Sequence, residues 1–140
     1  MSRIFWDTNL FIYLIEDRGD LSERVAQLRK RMIERGDELY ASALTLGEIL
    51  VKPLEAGDEV LSRRYEAALR QGATIIPFDV EAARWYADIR KDRAIRPPDA
   101  IQLACAAQSH VDLFITNDER LSMKSIRQIQ FVSSLQRAFL

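Results

Sequence analysis

Short apolar runs alternate with longer amphipathic segments along the chain, and this alternation predicts its fold. Five runs have the length and composition of buried strands, and they lie at residues 4–6, 38–41, 73–78, 113–116 and 129–132. The segments between them place apolar residues at helical spacing, as Val25, Leu28 and Met32 do. Strands that alternate with helices form a parallel sheet covered on both faces. The pattern therefore predicts α/β architecture, with a central, mainly parallel five-stranded sheet flanked by helices.

Capping residues and prolines predict where several helices begin and end. Asn9 is suited to cap a first helix over residues 10–15. Pro53 lacks a backbone donor, so it predicts the end of a helix that starts at residue 42 or 45. The prolines at positions 97 and 98 predict a break directly before a helix that begins at Asp99.

Four acidic residues lie beside or within apolar runs, where a carboxylate would lose contact with water. They are Asp7, Glu48, Asp99 and Asp118. Burial of a carboxylate is costly unless a partner compensates its charge. No Lys or Arg is adjacent to Asp7 or Glu48 in sequence. Divalent cations prefer oxygen ligands, so convergence of the four side chains would favour a metal site.

The predicted strand arrangement places these acids at one edge of the sheet. Asp7 and Asp118 follow the first and fourth strands, and parallel sheets bind ligands beyond the carboxyl ends of their strands. Glu48 and Asp99 lie near the starts of helices that follow a strand or a loop. If the first and fourth strands are neighbours, the carboxylates face one crevice.

Each acid also has a purely local explanation, which is weakest for Asp7, because Thr8 and Asn9 are two other candidates for the helix cap. Glu48 could complete a capping box, Asp99 could be an N-cap behind the prolines, and Asp118 could cap a short turn. Taken singly, these explanations are as good as the chemical one. Four acids at one edge of a sheet favour a functional site.

Composition narrows the class of protein. The 140 residues include one cysteine, Cys105, and one histidine, His110, which excludes an intrachain disulfide and argues against a zinc site. We expect a cytoplasmic protein, since the sequence has no membrane-spanning run and no signal-peptide pattern. A net charge of −1 gives no global signature of nucleic-acid binding. Arg93 and Arg96 nevertheless precede Asp99 closely in sequence. They are candidate RNA-phosphate contacts at the rim of the crevice that contains Asp99.

Four motifs, in the expected order, resemble those of the PIN-domain family. They are Asp7-Thr8-Asn9, residues 42–48, residues 98–104, and Thr116-Asn117-Asp118 followed by Arg120-Leu121. In its length and in its lack of extra domains, the chain most resembles the VapC-type toxins of bacterial and archaeal toxin–antitoxin pairs. This resemblance implies a single PIN-like domain over residues 1–140.

The resemblance also implies an activity. VapC-type toxins are endoribonucleases that depend on Mg²⁺ or Mn²⁺, are commonly homodimers, and are inhibited by a cognate antitoxin protein. The metal-ligating and catalytic residues would be Asp7, Glu48, Asp99 and Asp118. Asn9 and Thr116 would orient those carboxylates by hydrogen bonds, although a helix cap and a strand-end hydroxyl explain them equally well. Metal-activated water would hydrolyse the RNA phosphodiester bonds.

Two other classes of protein remain open. One is a non-catalytic RNA- or protein-binding module of the same fold. In sequence, only the presence of all four acidic residues distinguishes the enzyme from such a module. A receiver-like signalling domain also gathers acids around Mg²⁺ at the edge of a parallel sheet. It needs a phospho-accepting aspartate at a strand end and a late lysine, for which Asp79 and Lys124 are poor candidates.

Overall fold

A five-stranded, all-parallel sheet organises the chain in the computed structural model, which describes residues 1–138. The strands are β1 (Arg3–Trp6), β2 (Glu38–Ser42), β3 (Thr74–Ile76), β4 (Leu113–Thr116) and β5 (Phe131–Ser134). They lie side by side in the order β3-β2-β1-β4-β5. The chain therefore builds outward from β1 on one side and then returns to its other side, which makes the β1–β4 boundary the switch point of the sheet.

Helices cover both faces of this sheet, as predicted. Within residues 1–138 they are α1 (Thr8–Ile15), α2 (Asp20–Arg35), α3 (Ala43–Glu55), α4 (Glu59–Gly72), α5 (Val80–Ile89), α6 (Pro97–Gln108) and α7 (Glu119–Ser122), followed by a 3₁₀ turn at Leu135–Arg137. None of these helices combines the length and the apolar character that a membrane crossing requires.

Alternation of side chains along β1 divides the interior into two cores. Ile4 and Trp6 point towards α1 to α4, where Trp6 packs on Phe11. Phe5 points the opposite way, towards α5 and α6, and stacks on Phe114 with ring centroids 5.3 Å apart. Residues 4–6 of β1 are thus buried on both faces of the sheet, which explains why this run is continuously apolar.

The first helix begins two residues earlier than the sequence predicts. Asp7, not Asn9, is the N-cap, because its Oδ1 accepts a hydrogen bond from the Thr8 backbone N–H at 2.8 Å. Asn9 therefore lies inside the first turn of α1 and is exposed. The strand passes directly into the helix, so the cap is the residue that ends the strand.

Prolines also act differently from the prediction. Pro97 starts α6 instead of breaking the chain, because the first helical turn needs no donor from its leading residues. Pro53 lies within the last turn of α3, where the hydrogen bond it removes is close to the natural end of the helix. β3 ends at Ile76, before Pro77, and β5 begins at Phe131, two residues later than predicted.

Candidate functional site

The carboxyl ends of β1 and β4 meet at the switch point, and the predicted acids lie around them. Asp7 follows β1 directly, and its backbone N–H extends the ladder by donating to the Ile115 carbonyl oxygen at 3.0 Å. Asp118 lies two residues beyond the end of β4. Glu48 comes from α3, which starts where β2 ends, and Asp99 lies in the first turn of α6. The predicted adjacency of the first and fourth strands is confirmed.

Two adjoining clefts share these acids. The larger, of about 480 Å³, is lined by Asp7, Glu48 and Asp99 together with residues of α1 and α3. The smaller, of about 230 Å³, is lined by Asp99 and Asp118. Asp99 therefore stands between two openings, and Asp118 faces the smaller one instead of completing the larger.

Asp7 is the most buried of the four acids, with 7% of its surface exposed. Its Oδ1 accepts from the Thr8 N–H and its Oδ2 from the Thr116 hydroxyl, both at 2.8 Å. The pKa of Asp7 is nevertheless raised from 3.8 to about 6, mainly by burial and also by the negative charges of Asp99 and Glu48, although the two hydrogen bonds oppose this rise. The side chain is thus held firmly in place without compensation of its charge.

The predicted orienting residues occupy different positions. Thr116 is fully buried, donates to Asp7, and accepts from the Asp118 backbone N–H at 3.0 Å, so one hydroxyl links two of the acids. Asn9 lines the larger cleft from α1. Its role in orienting a carboxylate stays a prediction.

Glu48 is not part of a capping box, because Ser42 caps α3 and Glu48 lies in the middle of that helix. Its Oε1 accepts from the Thr8 hydroxyl at 2.7 Å. Thr8 in turn contacts Thr45 and Gln102 in a buried polar network. Sequence reasoning missed Thr8 and Gln102 as site residues. The one available signal, for Gln102, was an amide side chain inside the otherwise apolar run of residues 100–107.

Asp99 and Asp118 differ in their local roles. Asp99 is the third residue of α6 and is not its cap. Burial raises the pKa of Asp99, Arg96 lowers it from an Nε–Oδ2 distance of 3.8 Å, and Asp118 and Glu48 raise it again. Asp118 does cap α7, since its Oδ1 accepts from the Arg120 and Leu121 N–H groups at 3.0 and 3.3 Å.

Cationic side chains flank both clefts. Arg18 and Lys52 line the larger one and pair with Glu16 at 2.7 and 3.3 Å. The smaller cleft is lined by Arg96, Arg120 and Lys124. Arg93 is exposed in the loop before α6 and is not in the wall of either cleft.

The donor set fits a hard cation and not zinc. Within residues 1–138, no three acidic, histidine or cysteine side chains lie close enough to enclose an ion in their present arrangement. Carboxylates without a cation between them repel one another, so open spacing is expected. All the candidate ligands around the clefts are oxygens, as Mg²⁺ and Mn²⁺ prefer. His110 lies beyond the far end of α6, bonded to Gln128 at 2.7 Å, and Cys105 is buried in the core.

The residues proposed for a receiver-like domain have other roles. Asp79 is three residues beyond the end of β3 and caps α5, since it accepts from the Ala82 N–H at 2.9 Å. Lys124 pairs with Asp92 at 2.8 Å. Neither Asp79 nor Lys124 therefore occupies the position that such a domain requires.

Comparisons with known proteins agree on one fold. The sequence model of the PIN domain matches residues 4–126. A DNA-bound VapBC structure from Salmonella typhimurium is 18% identical with a TM-score of 0.70, covering 96% of this chain and 99% of that one. VapBC2 from Rickettsia felis, bound to a promoter DNA fragment, is 16% identical with a TM-score of 0.69, covering 94% and 98%. A toxin–antitoxin complex from Klebsiella pneumoniae is 23% identical with a TM-score of 0.66, covering 82% and 86%. No curated protein matches the chain.

Proposed function

This chain belongs to the PIN-domain family, and from that premise we propose that it is a VapC-like toxin that hydrolyses RNA with the help of Mg²⁺ or Mn²⁺. One observation carries the proposal. Asp7 is a buried carboxylate at the carboxyl end of the central strand, with a pKa raised to about 6, and the carboxylates of Glu48 and Asp99 line the same cleft. A protein gains little stability from such an uncompensated site, so the arrangement favours a bound cation.

The chain's own residues would hold and aim the reacting groups. Asp7, Glu48, Asp99 and Asp118 would bind the divalent ion, which would screen the phosphodiester charge and activate water for attack. Thr116 and the Thr8 N–H fix both oxygens of Asp7, so this carboxylate would not need to reorganise when the ion binds.

RNA would cross the site where the two clefts meet at Asp99. A single strand lying there would place its phosphates near Arg18 and Lys52 on one side and near the cations of the smaller cleft on the other. Arg96 lines that smaller cleft, and Arg93 precedes it on the surface. We assign both as phosphate contacts, because guanidinium groups bind phosphate in a bidentate manner.

A protein partner would restrain the nuclease. The structures from Rickettsia, Klebsiella and Salmonella are toxin–antitoxin complexes, which supports a cognate antitoxin for this chain. The apolar stretch of α1 buries Leu10 and Phe11 but leaves Leu14 42% exposed. Exposed apolar surface of this kind supports both antitoxin binding and homodimer formation.

Cleavage of labelled RNA tests the proposal. Purified protein should cut RNA with Mn²⁺ and should not cut it with EDTA. Asp7→Asn and Asp99→Asn should both abolish cleavage, while Asp20→Asn, an exposed aspartate of α2, provides the matched control. RNA that binds but stays intact with Mn²⁺ would identify the non-catalytic binding module instead.

A further inference from the structure

Gln102 is a buried amide in a helix whose other buried residues are apolar. Only 2% of its surface is exposed, and its neighbours along α6 are alanines, Leu103 and Cys105. A buried amide must satisfy two donors and one acceptor to avoid a large desolvation cost. Gln102 satisfies all of them with hydroxyl groups. Its Nε2 lies 2.7 Å from the Thr8 Oγ1 and 3.1 Å from the Thr45 Oγ1, and its Oε1 accepts from the Ser42 hydroxyl at 2.7 Å.

The direction of each hydrogen bond in this network follows from Glu48. A carboxylate only accepts, so the single hydroxyl proton of Thr8 is donated to the Glu48 Oε1 at 2.7 Å. The Thr8 oxygen must then accept from its other two partners, the Gln102 Nε2 and the Thr45 hydroxyl at 2.8 Å. The opposite orientation of the amide would place two acceptors 2.7 Å apart, so it is excluded.

The Thr8 hydroxyl is therefore saturated, with two accepted bonds and one donated bond. Gln102 and Thr45 donate to both lone pairs of the Thr8 oxygen, so Glu48 is the acceptor of the Thr8 hydroxyl proton. Gln102 also lies one helical turn from Asp99, on the same side of α6. One amide thus connects the helix that carries Asp99, the residue after Asp7, and the helix that carries Glu48.

From these contacts we infer that Gln102 is a positioning residue, which locks the Thr8 hydroxyl as a donor to Glu48 and so holds that carboxylate towards the cleft. The inference rests on the proposed function, because the role of Glu48 as a metal ligand is itself proposed. Glu48 is long and exposed. Without a fixed donor its carboxylate would sample several rotamers, and an ion would have to order it on binding.

Binding of Mn²⁺ alone, measured by calorimetry, tests this role without reference to activity. Gln102→Met keeps the length of the side chain and removes its donors, and it should weaken Mn²⁺ binding about tenfold or more. Gln102→Leu is measured in parallel, so that a folding failure of one replacement does not decide the result. Leu103→Val perturbs the same helix and core without touching the network, and it should leave the Mn²⁺ affinity unchanged.

Thr8 shows whether Gln102 acts through it. Thr8→Ser keeps the hydroxyl and should bind Mn²⁺ like the wild type, while Thr8→Val should lose as much affinity as Gln102→Met. The double variant Thr8→Val/Gln102→Met should lose no more than either single variant, since both remove the same link. Additive losses, or an unchanged affinity in both Gln102 variants, would overturn the inference.

Glu48→Gln separates this inference from the proposed function. If Glu48→Gln binds Mn²⁺ as tightly as the wild type, the proposed metal site itself fails. If Glu48→Gln loses affinity while the Gln102 variants do not, the metal site stands and only the positioning role is wrong.

Discussion

Two buried aspartates at opposite ends of the sheet are treated in opposite ways. Asp37 precedes β2 at the amino end and is 8% exposed, and Asp7 follows β1 at the carboxyl end and is 7% exposed. Asp37 accepts from the Ser2 N–H at 2.8 Å and forms an ion pair with the Arg35 guanidinium at 2.9 Å. Asp7 receives only neutral donors within residues 1–138, and its charged neighbours are acids.

The difference distinguishes a structural carboxylate from one that we propose to be a metal ligand. Equal burial imposes a similar desolvation cost on both side chains. At Asp37 the chain supplies the compensating cation itself, so the residue joins the amino terminus and β2 into the fold. At Asp7 it supplies none within residues 1–138, which is the arrangement expected of the proposed cation site.

The largest expected effect separates two matched variants. Asp7→Asn should reduce RNA cleavage at least about 100-fold, because a ligand oxygen and its charge are lost together. Asp37→Asn should leave cleavage unchanged and lower the free energy of unfolding by about 1–2 kcal/mol, because its charged hydrogen bond with Arg35 is weakened. Cleavage rates and urea denaturation curves measure both effects. An equal loss of cleavage in the two variants would erase the distinction.

Mn²⁺ should stabilise the chain through the carboxyl end of the sheet alone. At a free concentration about 100 times its Kd, a ligand raises the free energy of unfolding by about 2.7 kcal/mol. We expect this increase in the wild type and in Asp37→Asn, and a much smaller one in Asp7→Asn. Melting temperatures with and without Mn²⁺ give the answer. An undiminished shift in Asp7→Asn would show that the ion binds elsewhere.

The pH dependence of the metal-free chain should single out Asp7. Its folded-state pKa of about 6 lies above 3.8, so the folded chain keeps a proton that the unfolded chain releases. The stability that this proton adds is complete below pH 3.8 and is lost as the pH rises through about 6. Relative to Asp7→Asn, the wild type should therefore lose about 1–3 kcal/mol between about pH 4 and 7. Denaturation of the wild type and of Asp7→Asn in metal-free buffer tests this, and equal pH dependence of the two would contradict it.

The smallest effect concerns the arginines at the two ends. Replacing Arg93 and Arg96 with Ala should weaken RNA binding and reduce the slope of log affinity against log salt by about 1.4, the value for two phosphate contacts on a single strand. Arg35→Ala should leave that slope unchanged, because the Arg35 guanidinium forms an ion pair with Asp37 at the other end of the sheet. An unchanged slope in the double variant would show that Arg93 and Arg96 are solvated surface residues that do not contact RNA phosphates.

Sequence patterns predicted the sheet well because they depend on local burial. The run at residues 113–116 corresponds to β4 in full. Helix starts were less predictable. Asp7 was expected to be a metal ligand and Asn9 the helix cap, but Asp7 is the cap. An aspartate that ends a strand can cap the next helix and still be a candidate ligand, and sequence spacing alone does not distinguish these roles.

Only those features of the candidate site that depend on where the strands end could be predicted from the sequence. The acids were placed at one edge because parallel strands end together there. The division into two clefts was not foreseen, because it depends on where Asp118 turns to cap α7. Gln102 was missed because its partners Ser42, Thr45 and Thr8 lie 57 to 94 residues away and share no local pattern with it.

The pairing of β1 with β4 also governs the order in which the site can assemble during synthesis. Thr116 and Asp7 are 109 residues apart, so the hydroxyl that fixes the first acid is made long after that acid has left the ribosome. Contacts of such separation form late. Nascent chains arrested before residue 113 should bind no Mn²⁺ above background, and tight binding by them would contradict this order. The proposed nuclease would therefore stay inactive through most of its own translation, and it would become active only when nearly the whole chain has emerged.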